Sequence, residues 1–433
     1  MQNPIFQPLT LPNSQVIKNR IFKSAIHEAF AGRDNQPNQK HVSLFDTWAQ
    51  KDIGTLVTGN VMIDRLAIGD PGNVVVDSTT DKGILRQWAQ AGKQKESKIL
   101  LQLNHPGKQA PKSVATESVA PSAVPIQGPL ANFFHNPRVL STEEVKNLVK
   151  TFVTAAKISE DCGFSGVQIH AAHGYLINQF LSAWDNHRQD KCGGNLLNRM
   201  PFLLEIYDGM RAETKSDFII SVKINSSDFK EGGFSQEDSL ETIKILAQRG
   251  IDLIEISGGS YEKPKMHAQG SVHFLDFAKE VANAVEIPIV LTGGISTEQS
   301  MIDILTSTRI AMVGLARPLV LNPDLVGQIK VGNYQAQKLP RLSTGLAGLD
   351  RKISSMIGLT YYEQQMHRLA KGEKKQNGPR MLGPPCYLLL NTKASLPYCP
   401  NTPKAFGLFG FSLASYQRTE PSRSNQRLKV GGI

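Results

Sequence analysis

The chain alternates short apolar segments with amphipathic helical segments, and this alternation constrains its fold more than any other feature. Each apolar segment has the length and composition of a buried strand. There are eight, covering residues 21–26, 55–59, 99–104, 166–170, 218–224, 253–257, 289–292 and 310–314. Eight strand–helix units in order predict an α/β fold, a closed (β/α)8 barrel of the TIM type, because an open doubly wound sheet more often has five or six strands.

Helix start signals fall between the apolar segments, as a barrel requires. Ser141 with Glu144 forms a capping box before one amphipathic segment, and Ser296 with Gln299 repeats the pattern after the seventh apolar segment. We therefore predict helices that begin at these two positions.

The longest connections follow the third and fourth predicted strands, over residues 105–140 and 171–198. Connections after the strands form the face where barrel enzymes build their sites. The sequence therefore predicts a long lid after the third strand and a functional site beneath it.

The formal charge of +10 is concentrated at one end of the chain. Residues 1–336 carry 33 Lys and Arg against 34 Asp and Glu, whereas residues 337–433 carry 15 against 4. We therefore predict a barrel domain over 1–336 with no affinity for nucleic acid. Residues 337–433 form a basic tail with one or two short helices, mostly irregular and largely disordered, which we expect to be dispensable for folding.

The cysteines and the N-terminus indicate the compartment. The four cysteines show no C-x-x-C spacing, which argues against a zinc site, an iron–sulfur cluster and a disulfide framework. The first residues lack a signal pattern, and no apolar run is long enough to span a bilayer. We expect a cytoplasmic protein with no membrane partner.

Polar side chains converge from three neighbouring predicted strands. Alternation along the strands turns five polar side chains toward the barrel axis, namely Gln102, Asn104, Gln168, His170 and Lys223. Buried amides and cations are costly without partners, so they predict a polar ligand that is anionic or rich in electrons. The alternative is that these groups satisfy one another or bind water.

His170, His173 and Tyr175 follow the fourth predicted strand. Two histidines could ligate a metal, but no third ligand residue follows at a sequence spacing typical of a metal site, so we predict no metal. The imidazoles could instead hold a carbonyl oxygen as charge develops on it. Tyr175 could protonate a carbanion-like centre, or it could be a half-buried packing residue.

Glycines and an arginine after the last two predicted strands indicate a phosphate site. Gly293 and Gly294 free backbone N–H groups before a helix, while Gly314 precedes Arg317, which can pair with phosphate oxygens. A Gly-Gly pair alone is more often a turn, and its position in the barrel is what favours phosphate.

A longer pattern resembles a known family. Residues 170–182 read HAAHGYLINQFLS, and NHRQD and GG follow at 186–190 and 193–194. Together with QLNHPG at 102–107 and NPD at 322–324, this resembles the old yellow enzyme family of FMN-dependent NAD(P)H oxidoreductases. The resemblance covers roughly residues 4–336.

The resemblance implies that the phosphate belongs to FMN, with Gly293, Gly294, Gly314 and Arg317 around it. It also implies flavin contacts in the rest of the barrel mouth. Gln102 would bind the pyrimidine side and Lys223 the N1/O2 edge, with further contacts from Ser24, Ala25, His27 and Gly59. His27 departs from the family, which usually has Thr or Cys there.

The implied activity is reduction of activated alkenes or other acceptors by an NAD(P)H-dependent ene-reductase. His170 and His173 would bind the carbonyl oxygen of an α,β-unsaturated substrate, hydride would pass from flavin N5 to the β-carbon, and Tyr175 would protonate the α-carbon. The resemblance implies NADPH or NADH as reductant and a small-molecule substrate, and an oligomer is possible.

Two alternatives stay open from the sequence. The His27 departure is compatible with an FMN-binding barrel whose turnover is impaired. An unrelated phosphate-binding barrel could be a lyase, with Lys223 forming a Schiff base.

Overall fold

The structure is a computed structural model. It describes residues 3–128, 130–260, 262, 272–337 and 347–373, with side chains in the last range described from residue 358. All of these residues belong to one unit, Met1–Arg380.

Eight parallel strands close into a barrel, which confirms the predicted fold. Each strand pairs with the next one, and β8 pairs with β1 through Val313 and Ile21. The barrel strands are β1 Ile21–Lys23, β2 Thr55–Val57, β3 Lys98–Asn104, β4 Gly166–Ala171, β5 Ile219–Asn225, β6 Leu253–Ser257, β7 Ile289–Thr292 and β8 Met312–Leu315.

Helices cover the outside of the barrel. They are α1 Gln39–Ala49, α2 Lys82–Gly92, α3 Thr142–Asp161, α4 Leu176–Leu181, α5 Leu196–Arg199, α6 Pro201–Glu213, α7 Gln236–Gln248, α8 Leu275–Ala284, α9 Glu298–Ser307, α10 Arg317–Leu321, α11 Leu325–Lys330 and α12 Ala347–Ala370. None of the described helices has the length and apolar character needed to cross a membrane.

Of the two predicted capping boxes, one is present as expected. Ser141 and Glu144 bond reciprocally at the start of α3. At α9 the cap is Thr297 rather than Ser296, because the Thr297 hydroxyl accepts from the Ser300 backbone N–H at 3.1 Å. The predicted Ser296–Gln299 box was wrong by one residue.

Shorter strands lie at both ends of the barrel. Leu9–Thr10 and Val16–Ile17 form an antiparallel hairpin, and Val61–Met62 joins β3 beyond the end of β2. Val74–Val75 extends this pairing outward. In the connection after β3, Val119–Ala120 pairs with Arg138–Val139, so the predicted lid contains regular structure.

Two apolar layers hold the fold together. Phe22, Val57, Leu100 and Val290 fill the amino-terminal end of the barrel interior, while a larger cluster lies between the strands and the helices. The bottom of the barrel is therefore a mainly apolar core, and the polar side chains of the site described below lie toward the carboxyl ends of the strands.

Helix α12 packs on the barrel although it follows the segment predicted to form it. Tyr361, Tyr362 and Met366 belong to the main hydrophobic core, and α12 contacts α1 and α10. These contacts argue against the expectation that all of 337–433 is dispensable. The domain boundary after residue 336 stays a prediction, and the expected irregular tail beyond residue 373 lies outside the described residues.

Candidate active site

A hydrogen-bonded chain of polar side chains crosses the barrel interior above the apolar layer. The Gln102 amide donates to Gln168 Oε1 at 2.7 Å, and the Gln168 amide donates to Glu255 Oε2 at 2.9 Å. Lys223 Nζ lies 3.0 Å from Glu255 Oε1. All four side chains are buried, and we call this set, with the Thr292 and Ser24 hydroxyls that extend it, the barrel network.

The barrel network continues to the strands that close the barrel. Thr292 donates to Glu255 Oε1 at 2.7 Å, and its oxygen lies 2.8 Å from the Ser24 hydroxyl. A Cβ atom on Gly314 would overlap both hydroxyls, so β8 needs glycine here. Ser24 and Gly314, predicted from opposite ends of the barrel sequence, thus lie together, with Ala25 next to Ser24.

Glu255 is a functional residue that the sequence reasoning missed. It is fully buried, and it pairs with the predicted flavin-edge cation Lys223. The signal was available, because alternation in 253–257 turns this carboxylate to the same inward face as Lys223. The site cation is therefore part of an ion pair.

His170, His173 and Tyr175 form one cluster at the carboxyl end of β4. The His170 ring centroid lies 4.9 Å from that of His173 and 4.9 Å from that of Tyr175. Both contacts are edge-to-face, and the three side chains are buried. The structure thus brings the three predicted catalytic residues together.

The protonation of His170 follows from its contacts. Its Nδ1 accepts the Ala172 backbone N–H at 3.3 Å, which places the ring proton on Nε2. Burial, together with the charge of Lys223, holds the pKa of His170 well below its usual range. His170 is therefore a neutral hydrogen-bond donor at physiological pH.

His173 is held by its backbone and by its ring. It has a positive φ of 62°, its backbone N–H donates to Asn225 Oδ1 at 3.1 Å, and its Nε2 lies 2.8 Å from the Ser257 hydroxyl. A left-handed conformation at a residue other than glycine persists only where the surroundings enforce it. Here two hydrogen bonds fix the direction of the ring.

The segment after β1 carries His27 and a second buried carboxylate, Glu28. Glu28 Oε1 accepts the Gly59 backbone N–H at 2.7 Å. Because this N–H is engaged within the protein, the predicted role of Gly59 toward flavin stays a prediction. His27 Nε2 lies 3.1 Å from the Pro71 carbonyl oxygen and its Nδ1 lies 3.2 Å from Asn73 Nδ2.

The predicted phosphate residues lie after β7 and β8. Gly293 and Gly294 have φ values of 120° and 77°, a conformation that glycine adopts most readily. Backbone N–H groups in a turn of this kind can line an anion-binding concavity. Arg317 begins α10 after β8. The geometry therefore suits an anionic group.

Two buried amides test whether the site expects a polar ligand. Asn104, at the end of β3, has no hydrogen-bond partner for either side-chain atom among the described residues, and Asn60 has none for Oδ1. Buried polar atoms are normally paired, so partners from a bound molecule are the expected solution. With the barrel network below and the Gly293–Gly294 turn at the same carboxyl end of the barrel, the residues fit FMN.

A (β/α)8 barrel with polar side chains at its mouth, and with a glycine turn suited to an anion after β7, is typical of flavin-dependent oxidoreductases. The chain belongs to the NADH:flavin oxidoreductase / NADH oxidase family, whose profile matches residues 4–336. The cofactor is FMN and NAD(P)H is the reductant.

Relatives in fungi and bacteria agree with the family. The chain is 34% identical over 350 residues to the NADH-dependent flavin oxidoreductase iliE of Hypocrea jecorina, covering 73% of this chain and 86% of that one. It is 30% identical to an NADPH dehydrogenase of Geobacillus sp., covering 75% of this chain and 92% of that one.

A solved complex of 2-naphthoyl-CoA reductase superposes with a TM-score of 0.71 at 25% identity. The match covers 77% of this chain, which spans about half (53%) of the length of that reductase chain.

Proposed function

We propose that the protein reduces the activated carbon–carbon double bond of α,β-unsaturated carbonyl compounds at the expense of NAD(P)H. The observation that carries the proposal is the cluster of two imidazoles and a phenol at the carboxyl end of β4, in which the His170 ring centroid lies 4.9 Å from each of the other two. Such a cluster offers donors for a carbonyl oxygen and an acid for the neighbouring carbon.

His170 and His173 bind the carbonyl oxygen. A neutral imidazole N–H stabilises negative charge that develops on an oxygen, and burial strengthens the interaction. The low pKa of His170 keeps this donor uncharged, so it polarises the carbonyl without having transferred a proton beforehand.

Tyr175 delivers the proton to the α-carbon. Asn60 Nδ2 donates to the phenol oxygen at 3.1 Å, so the phenol proton is directed away from Asn60. This hydrogen bond also stabilises negative charge on the phenol oxygen once its proton has left. Asn60 is a residue that the sequence reasoning missed.

The predicted binding residues would hold the cofactor. They are Ser24, Ala25, His27, Gly59, Gln102, Lys223, Gly293, Gly294, Gly314 and Arg317. When bound, FMN would supply the hydride for the β-carbon of the substrate. Lys223, whose charge is moderated by Glu255, would favour negative charge on the flavin edge that the resemblance assigns to it.

A Schiff-base lyase is disfavoured by one contact. The ion pair with Glu255 stabilises the charged ammonium of Lys223, whereas a Schiff base requires the neutral amine. The structure therefore favours an electrostatic role for Lys223.

Tyr175→Phe tests the proposal, with Tyr334→Phe as the matched control because the Tyr334 hydroxyl donates to the Ser296 carbonyl outside this cluster. After anaerobic reduction by NADPH, reoxidation by cyclohexenone should slow about 100-fold in Tyr175→Phe, the size of a general-acid contribution. Reoxidation by ferricyanide, which needs no carbon protonation, should not change. Equal cyclohexenone rates in both variants would contradict the role.

A further inference from the structure

A chain of hydrogen bonds runs from Tyr175 to His27. Asn60 Nδ2 donates to the Tyr175 oxygen at 3.1 Å, and the Asn60 backbone carbonyl accepts from Asn73 Nδ2 at 3.2 Å. The same Asn73 amide lies 3.2 Å from His27 Nδ1. These four residues connect the catalytic cluster with the segment after β1.

The donors and acceptors in this chain are fixed by a further contact. Asn73 Oδ1 accepts the Asp70 backbone N–H at 2.6 Å, which places the amide nitrogen toward His27. His27 Nδ1 is therefore the acceptor and its proton lies on Nε2. Both protons of the Asn73 amide take part in hydrogen bonds, one to His27 and one to the Asn60 backbone carbonyl. A movement of His27 therefore shifts the Asn73 amide and changes its hydrogen bond to Asn60.

Glu363 of α12 lies at the far end of the chain. Its Oε1 is 3.9 Å from His27 Nε2, and this oxygen has no hydrogen-bond partner among the described residues. The side chain is buried, and the other carboxylates that act on His27 are Asp70 and Glu28. The imidazole N–H thus lies between the Pro71 carbonyl and a carboxylate from α12.

Several contacts fix α12 in this position. Tyr361, Tyr362 and Met366 lie in the hydrophobic core, and the ring centroids of His367 and Phe30 are 4.5 Å apart. The α12 residues that make these contacts lie on both sides of Glu363 in the sequence. The carboxylate is therefore presented to His27 by a packed element.

We propose that α12, which lies beyond the matched family segment, is part of the active site. Glu363 orients His27, and His27 positions Tyr175 through Asn73 and Asn60. We call these five residues the tyrosine chain. The inference deepens the proposed function and rests on it for its catalytic consequence, while the structural coupling can be measured without any substrate.

The test compares Glu363→Leu with Glu373→Leu. Leucine fits the buried position of Glu363, whereas Glu373 is an exposed carboxylate nearby, paired only loosely with Arg368 at 3.7 Å. Asn60→Leu breaks the last link directly. Glu363→Gln keeps a polar oxygen opposite His27, so it should restore part of the function and serves as the second variant if leucine disturbs folding.

The first measurement is hydrogen–deuterium exchange of the FMN-loaded protein. Exchange in peptides covering residues 58–62 and 69–75 should rise in Glu363→Leu and stay unchanged in Glu373→Leu. Unchanged exchange in both peptides of Glu363→Leu would overturn the inference. If the wild-type protein reduces no enone, the proposed function fails and this exchange result alone decides the coupling.

The second measurement is reoxidation by cyclohexenone after reduction by NADPH. Loss of one link should slow it about fivefold in Glu363→Leu, while the ferricyanide rate should change much less because that reaction needs no proton from Tyr175. In Asn60→Leu, adding Glu363→Leu should cause no further loss, because both changes act on one chain. Additive losses would show that Glu363 acts elsewhere and would overturn the route.

Discussion

The barrel network and the tyrosine chain are both buried and polar, but they are built differently. The links of the barrel network measure 2.7–3.0 Å and join residues that lie on, or directly after, the strands of one sheet. Those of the tyrosine chain measure 3.1–3.2 Å, and the last gap, to Glu363, is 3.9 Å. The barrel network is fixed by strand register, whereas the tyrosine chain depends on a loop and on a helix distant in sequence.

The largest expected effect comes from removing the helix that completes the tyrosine chain. A protein ending at Gln337 loses Tyr361, Tyr362 and Met366 from the core, and at roughly 1.5–3 kcal/mol for each large buried side chain this costs about 5–9 kcal/mol. Its thermal midpoint should fall clearly. A protein ending at Glu373 keeps α12 and should match the full chain, so equal midpoints for both truncations would contradict the assigned packing.

Breaking the barrel network should have the next largest effect. Glu255→Leu leaves the buried Lys223 ammonium without its partner, which typically destabilises by about 3–5 kcal/mol. The control Glu286→Leu removes a carboxylate that is 87% exposed in its pair with Arg309, so its effect should be small. Thermal unfolding of both variants measures the difference in stability, and similar midpoints would show that the ion pair does not stabilise the fold.

Glu363 should destabilise the fold at alkaline pH. Burial raises its pKa from 4.5 to about 7, with the charge of His27 opposing the shift and Asp70 adding to it. Because the pKa of Glu363 is higher in the folded than in the unfolded protein, its neutral form stabilises the fold below pH 4.5, and this stabilisation is lost as the pH rises through about 7. The difference between the two pKa values corresponds to about 3 kcal/mol in the free energy of unfolding.

Glu363→Gln imitates the neutral form, so its thermal midpoint should exceed that of the wild type at pH 8 and differ little at pH 5. An equal gain at both pH values would mean that the carboxylate does not titrate in this range.

The smallest expected effect is a pH dependence of alkene reduction. Burial lowers the pKa of His27, but Asp70, Glu363 and Glu28 outweigh it, with help from the Pro71 carbonyl, and the pKa is raised. Protonation turns Nδ1 into a donor facing the Asn73 amide, so this hydrogen bond is lost on acidification. Cyclohexenone reoxidation should therefore slow below the raised pKa of His27, and Glu363→Leu should move this fall to lower pH. A pH profile that is identical in both proteins would contradict the link.

Most of the barrel network was predictable because it follows from residue patterns within short segments of the sequence. Alternation within short strands turns Gln102 and Lys223 inward, and the eight-fold order of strands brings their carboxyl ends together. The partner of Lys223 was missed although the same rule places Glu255 on the inward face. The Thr297 cap was missed by one residue because adjacent Ser and Thr can both cap.

The tyrosine chain could not be predicted from local patterns. No periodicity relates residue 363 to residue 27, and their approach depends on the packing of α12 against α1 and α10. The hydrogen bond from the Gly59 backbone N–H to the Glu28 carboxylate could not be predicted either, because only the fold brings these two residues together. Contacts between distant segments set these features, and a single sequence carries no record of them.

The most direct test of the proposed function is an anaerobic visible spectrum of the purified protein. It is recorded before NADPH, after NADPH and after cyclohexenone. We expect flavin bands that bleach with NADPH and return with the enone. Bands that bleach but do not return with the enone would contradict alkene reduction, and bands that never bleach would favour an FMN-binding barrel with impaired turnover.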